Sequence, residues 1–213
     1  MSNLLLRLFN SCLSRPYNEV ENGGSFACER LGERLSIWFE HSHGITDWLN
    51  NLSFAATPYR EMNPVWSCHG GFLRVWKSVK PYLLSPVLDP TVREVCTVGY
   101  SHGAALAVLC HEWIWYHRPE LRPRLLGFGF GCPRVLHGCV PHEIALRWEH
   151  FYVVRNLDDL VTHLPPRATG FCHVGNLVTV GSHGTYSPID AHRPESYQRE
   201  LEKLETAEKR QNE

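Results

Sequence analysis

Apolar positions along the chain change their spacing several times, and each change marks an element. Leu35, Ile37 and Phe39 fall at alternate positions, so Arg34 to Glu40 reads as a strand, paired across Gly32 with Ser25 to Cys28 in a hairpin. Phe72, Val75, Trp76, Val79 and Leu83 then recur at three- and four-residue steps, which predicts an amphipathic helix ending between Pro86 and Pro90. Val95 to Val98 is a short β-branched run, and Ala105, Leu106, Leu109, Trp113 and Tyr116 return to helical spacing, giving strand, sharp turn, helix. Leu125 to Phe130 is the next apolar run, followed by a helix expected from about Pro141 to His150 and a strand from Phe151 to Arg155. Phe171 to Val174 and Leu177 to Val180 flank Gly175-Asn176 and read as a second hairpin. Strands alternating with helices in this way predict a single α/β domain, a mostly parallel central sheet with helices on both faces. Residues 1–24, broken by Arg15-Pro16 and Asn22-Gly23-Gly24, read as a poorly defined lead-in, 25–201 as the domain, and 202–213 as the solvated end of a terminal helix.

The sharp turn carries chemistry. Gly99-Tyr100-Ser101-His102-Gly103 is a G-x-S-x-G pentapeptide between a strand and a helix, where two glycines leave room for a tight reversal and hold Ser101 out at the strand tip. Backbone N–H groups at the following helix N-terminus favour negative charge there, so the serine is placed to attack a carbonyl. A serine hydroxyl needs an imidazole to take its proton, and the imidazole needs a carboxylate to fix its tautomer. In sheets of this type the acid follows the serine and the histidine follows the acid. Asp158 and Asp159 sit just past the strand ending at Arg155, and neighbours in an extended turn face opposite ways, so one of them meets the imidazole. His163, His183 and His192 remain open as the base, whereas His173, inside a strand-like run, reads as a packed side chain satisfied by backbone. A second oxyanion donor belongs on the loop after the strand that ends near Glu40, and Ser42 is the candidate.

Charge and composition remove several functions. With 21 Lys plus Arg against 22 Asp plus Glu, the net charge of −1 leaves no electrostatic footprint for nucleic acid. Eight cysteines without a C-x-x-C pair read as buried reduced thiols. Thirteen histidines contain no H-E-x-x-H spacing, and neither a metal nor a cofactor is expected. The N-terminus lacks a charged lead-in and a small-residue cleavage site, and no window is apolar enough to span a membrane. A cytoplasmic protein is the resulting expectation, with transient contact with a lipid surface still compatible.

Taken together, Gly99 to Gly103, Gly131-Cys132-Pro133-Arg134-Val135, Asp159 to Pro166, His173-Val174-Gly175, and His192 followed by Tyr197 resemble the class 3, or fungal-type, lipase family over roughly residues 34–201. The resemblance implies an α/β-hydrolase fold and a serine carboxylic-ester hydrolase acting through an acyl-enzyme on lipid or other acyl esters. It implies Ser101 as nucleophile, Asp159 as acid because it starts the D-x-V-x-x-L-P-P segment, and His192 as base. Phe39 to Trp48 is similar to the family's oxyanion segment, which puts Ser42 and His102 on the oxyanion hole through their backbone N–H groups. Several positions depart from the family: Tyr100 precedes the serine where histidine is usual, His102 follows it where leucine is usual, His41 replaces a glycine, and Thr162 a proline. No segment reads as a lid. An inactive lipase-like binding module and an acyltransferase with the same three residues are the alternatives.

Overall fold

The computed structural model describes residues 1–20, 24–41, 55–138 and 140–211. Seven strands form the main sheet: β1 (Asn18–Val20), β2 (Gly24–Leu31), β3 (Arg34–Phe39), β6 (Glu94–Tyr100), β7 (Leu125–Phe130), β9 (Phe151–Asn156) and β11 (Asn176–Val180). Their order is β1-β2-β3-β6-β7-β9-β11. The β1–β2 and β2–β3 pairs are antiparallel, and every pair from β3 to β11 is parallel. A second, four-stranded sheet joins β4 (Ala56–Tyr59), β5 (Trp66–His69), β8 (Leu136–His137) and β10 (Phe171–Cys172).

Alternation within the strands sends side chains to two separate cores. Leu35, Ile37, Phe39 and Val95 face α2 (Gly70–Leu88) and α3 (His102–His117). Cys96, Val98, Tyr100, Phe128 and Phe130 face α1 (Ser2–Ser14) and α5 (Pro194–Gln211). The apolar stripe expected on α3 is wider than one face: every residue from His102 to Ile114 is buried, because the sheet lies on one side of the helix and α2 on the other. Among the described residues, no helix is long and apolar enough to cross a membrane. Of the described cysteines, Cys12, Cys68, Cys96, Cys110 and Cys132 are buried free thiols, Cys172 is partly buried, and Cys28 is exposed, against the expectation of burial.

Three expectations are corrected. Residues 1–24 are not a structureless lead-in: α1 buries Leu5, Phe9 and Cys12 against the sheet and is tied to α5 through Ser2 and Glu208 and through Asn3 and Glu205. Phe9 is fully buried, so Phe9→Ala should cost about 3–5 kcal/mol. Chemical denaturation checks this, and a midpoint equal to that of the parent chain would show α1 to be dispensable. Residues 171–180 are not a hairpin. Phe171 pairs with His137 in the small sheet, while Asn176 to Val180 run parallel to β9 in the main one. Gly175, at φ +74°, turns the chain between the sheets where a Cβ would lie 2.3 Å from the Phe151 carbonyl oxygen. The helix expected over Pro141 to His150 shrinks to α4 (His142–Ala145) and a 3₁₀ turn, Leu146–Trp148. That tighter turn places the adjacent Arg147 and Trp148 both against α3, where they bond Glu112 and the Val108 carbonyl.

Candidate active site

At the carboxyl end of β6 the chain reverses into α3 within one residue. Ser101 has φ +57° and ψ −124°, and no other non-glycine among the described residues has positive φ. The reversal needs its two glycines. A Cβ on Gly99 would lie 2.2 Å from the Gly103 carbonyl oxygen, and one on Gly103 would lie 2.3 Å from that of Phe39. The Ser101 N–H donates to the Phe130 carbonyl at 2.9 Å, fixing the turn to the neighbouring strand. Ser101 therefore stands at the N-terminus of α3, whose first N–H groups have no partner within the helix.

Two loops from later in the chain meet it. The first follows β9 and carries Asp159, which is fully buried. The second precedes α5 and carries His192, 3% exposed. They are joined by the Leu160 N–H, which donates to the Pro188 carbonyl, and by Asn156 Nδ2, which donates to the Ala191 carbonyl at 2.9 Å. His192 Nε2 lies 2.8 Å from Ser101 Oγ and His192 Nδ1 lies 2.8 Å from Asp159 Oδ2. The carboxylate is held on both oxygens: the Val161 N–H donates to Oδ1 and the Tyr197 hydroxyl to Oδ2. Tyr197 OH in turn accepts from the Asn156 N–H at 3.0 Å. Burial first, then the Asp159 charge, push the Tyr197 phenol well above its ordinary range, so it stays protonated and donates. Gly131, at φ +55°, passes so close that a Cβ would sit 2.9 Å from His192 Cε1 and 3.2 Å from Asp159 Oδ2. A side chain there would displace the imidazole.

A buried serine, imidazole and carboxylate in line, on an α/β sheet with this elbow, is what the sequence motifs led one to expect, and the family model for lipase (class 3) matches residues 36–169. The chain belongs to the class 3 lipase family. It is 30% identical over 146 residues to a lipase of Rhizomucor miehei, a match covering 66% of this chain and 40% of that protein. To a secreted mono- and diacylglycerol lipase of Fusarium solani it is 26% identical over 158 residues, covering 71% of this chain and 45% of that one. The chain thus spans less than half the length of either relative. Among solved structures, a triacylglycerol lipase described as having a serine-protease triad at its catalytic centre superposes with a TM-score of 0.70 at 25% identity, covering 78% of this chain and 66% of that one. The fold of the Rhizomucor miehei lipase–propeptide complex covers 94% of this chain and 76% of that one, with a TM-score of 0.68 at 20% identity.

The other candidates fall elsewhere in the chain. Asp158 faces away from Asp159, as the turn requires, and bonds His183 Nδ1 at 3.0 Å and the Gly184 N–H at 2.7 Å. That bonding, first of all from His183, holds its carboxyl below the ordinary value. The His183 side chain is 77% exposed and does not reach Ser101. His173 Nε2 meets the Thr162 carbonyl at 2.7 Å, and burial lowers its pKa to about 4, so it is a neutral, packed side chain. His163, on a 3₁₀ turn, is lowered by burial and then by Arg155. His102 opens α3, its imidazole packed near Phe72 and pushed down to about 4 by burial and then by His69, so this side chain is neutral at neutral pH. Ser42 lies outside the described residues. Sequence reasoning passed over Asn156, whose side-chain amide ties the His192 loop to β9 and whose carbonyl accepts from the Asp159 N–H; as the strand's last residue, just before the paired aspartates, it was the signal.

Proposed function

We propose that this chain is a serine carboxylic-ester hydrolase with Ser101 as nucleophile, Asp159 as acid and His192 as base. The observation that carries the reading is the unbroken line from Ser101 Oγ through both nitrogens of His192 to Asp159, buried and ending at a left-handed elbow. Ser101 Oγ attacks the ester carbonyl carbon while its proton passes to His192 Nε2. Asp159 accepts from Nδ1 and balances the imidazolium. The oxyanion takes hydrogen bonds from the His102 backbone N–H, at the positive end of α3, and from Ser42. Collapse of the tetrahedral intermediate expels the alcohol, which leaves with the proton from Nε2. A water then gives its proton to His192 and attacks the acyl-enzyme, and the second tetrahedral intermediate collapses to the carboxylic acid as His192 returns that proton to Ser101 Oγ. The substrate class is acyl esters, glycerolipids foremost, in keeping with the names its relatives carry.

The test is mass spectrometry with peptide mapping after incubation with a fluorophosphonate, alongside hydrolysis of p-nitrophenyl esters of rising chain length. We expect one adduct, on Ser101, absent from His192→Ala, together with ester turnover. Folded protein that takes no adduct and turns over no ester would instead support a binding module; an adduct with acyl transfer to an added alcohol in preference to water would support the acyltransferase.

A further inference from the structure

The residue before Ser101 has work to do that the three-residue line does not explain. Cys96, Val98 and Tyr100 alternate onto the face of the sheet covered by α1 and α5, and the His192 loop crosses that face. Tyr100 is 2% exposed and touches His192 twice: its hydroxyl donates to the His192 carbonyl, and its ring stacks on the imidazole with centroids 5.2 Å apart and planes 21° from parallel. The far side of the phenol is itself braced. Phe9 meets it edge-on at 5.4 Å and 86°, and Tyr197 at 5.8 Å and 64°.

An imidazole bonded at Nδ1 and Nε2 is fixed along the line joining its two partners and remains free to rock about that line, because the torsion carrying the ring is broad. A flat ring laid against its face removes the rocking, and a donor on its carbonyl fixes the backbone that carries it. We propose that Tyr100 is the positioning residue for His192, with its ring setting the plane of the imidazole and its hydroxyl setting the height of the loop. The inference rests on the reading of His192 as base. It assigns a task to the tyrosine that replaces the family's usual histidine. Burial, then Asp159, push the Tyr100 phenol well above its ordinary range, so the hydroxyl remains a donor throughout.

The experiment compares the parent chain with Tyr100→Phe and Tyr100→Leu, using kcat and KM on a short p-nitrophenyl ester and the low-field proton resonance of His192 Nδ1–H, assigned by its loss in His192→Ala. Tyr100→Phe keeps the stack and loses the donor, so kcat should fall about tenfold. Tyr100→Leu loses both, and kcat should fall about 100-fold with KM within roughly twofold. The low-field resonance should stay sharp in Tyr100→Phe and broaden in Tyr100→Leu. A lower melting temperature with kcat and resonance unchanged means that Tyr100 only fills space, and overturns the proposal. Should Tyr100→Leu fail to fold, Tyr100→Met gives the same comparison. A parent chain that hydrolyses no ester counts against the hydrolase reading alone, and the resonance then decides the role of Tyr100.

Discussion

Ser101→Ala should lower ester hydrolysis by about 10⁶-fold while the chain stays folded. The size follows from what is lost. Without Oγ no acyl-enzyme forms, and the remaining groups, an oxyanion site and a histidine with no proton to receive, can at best assist direct attack by water. Folding should be nearly untouched, since alanine carries the same Cβ as serine at φ +57° and only the bond to His192 Nε2 disappears. The measurement is kcat/KM on the best ester of the chain-length panel, with the thermal midpoint recorded on the same sample. More than about 1% residual activity in a folded, homogeneous preparation would remove Ser101 from the mechanism, because uncatalysed water attack falls far below that level.

Asp159→Asn should be nearly as damaging, at about 10⁴-fold in kcat, and Asp158→Asn should stay within about threefold of the parent. Three donors converge on Asp159: the Val161 N–H on one oxygen, and Tyr197 OH and the neutral His192 Nδ1–H on the other. An amide cannot accept on both sides. With its oxygen toward Val161, its NH₂ faces His192, which must then present Nδ1 as an acceptor and carry its proton on Nε2, where it blocks proton transfer from Ser101. With the amide flipped, NH₂ faces the Val161 N–H in a fully buried site, leaving two donors opposed. Asp158 has no part in this. Its partners, His183 and the Gly184 N–H, lie at the surface. Steady-state kinetics on the two variants side by side separates them, and the reverse ranking would transfer the acid to Asp158.

These two aspartates also show where the sequence stops being informative. Both form a carboxylate–imidazole pair at similar distance, one with His192 and one with His183, and both histidines sit in the same loop. Local sequence reads the pairs alike. What separates them is burial, 4% exposure of the His192 side chain against 77% for His183, and α5 packs on the turn that carries His192. The family resemblance supplied what local pattern could not. The β2–β3 hairpin and the elbow were legible because their signals are short-range: alternation at Leu35, Ile37 and Phe39, and two glycines that backbone contacts make obligatory. In α1 the signal was present but drowned. Leu5, Phe9 and Cys12 form a helical stripe, yet Leu4, Leu6, Leu8 and Leu13 put apolar residues on the other sides as well. The apparent hairpin at 171–180 misled because a glycine turn looks the same whether it reverses one sheet or carries the chain to another.

The packing of α1 against α5 has a consequence for how the chain is made. Phe9 leaves the ribosome well before Tyr197, against which it rests in the finished protein at 5.7 Å between ring centroids. At translation speeds of ~5–20 residues per second, its apolar face waits roughly 10–40 s for that partner. During this interval the strands of the main sheet emerge one after another, but the face that will receive α5 stays open, and the base loop has nothing to close against. Biosynthesis therefore seats the His192 loop only once α5 has emerged, so that a nascent chain halted before α5 carries Ser101 at its elbow without the packing that holds His192 beside it.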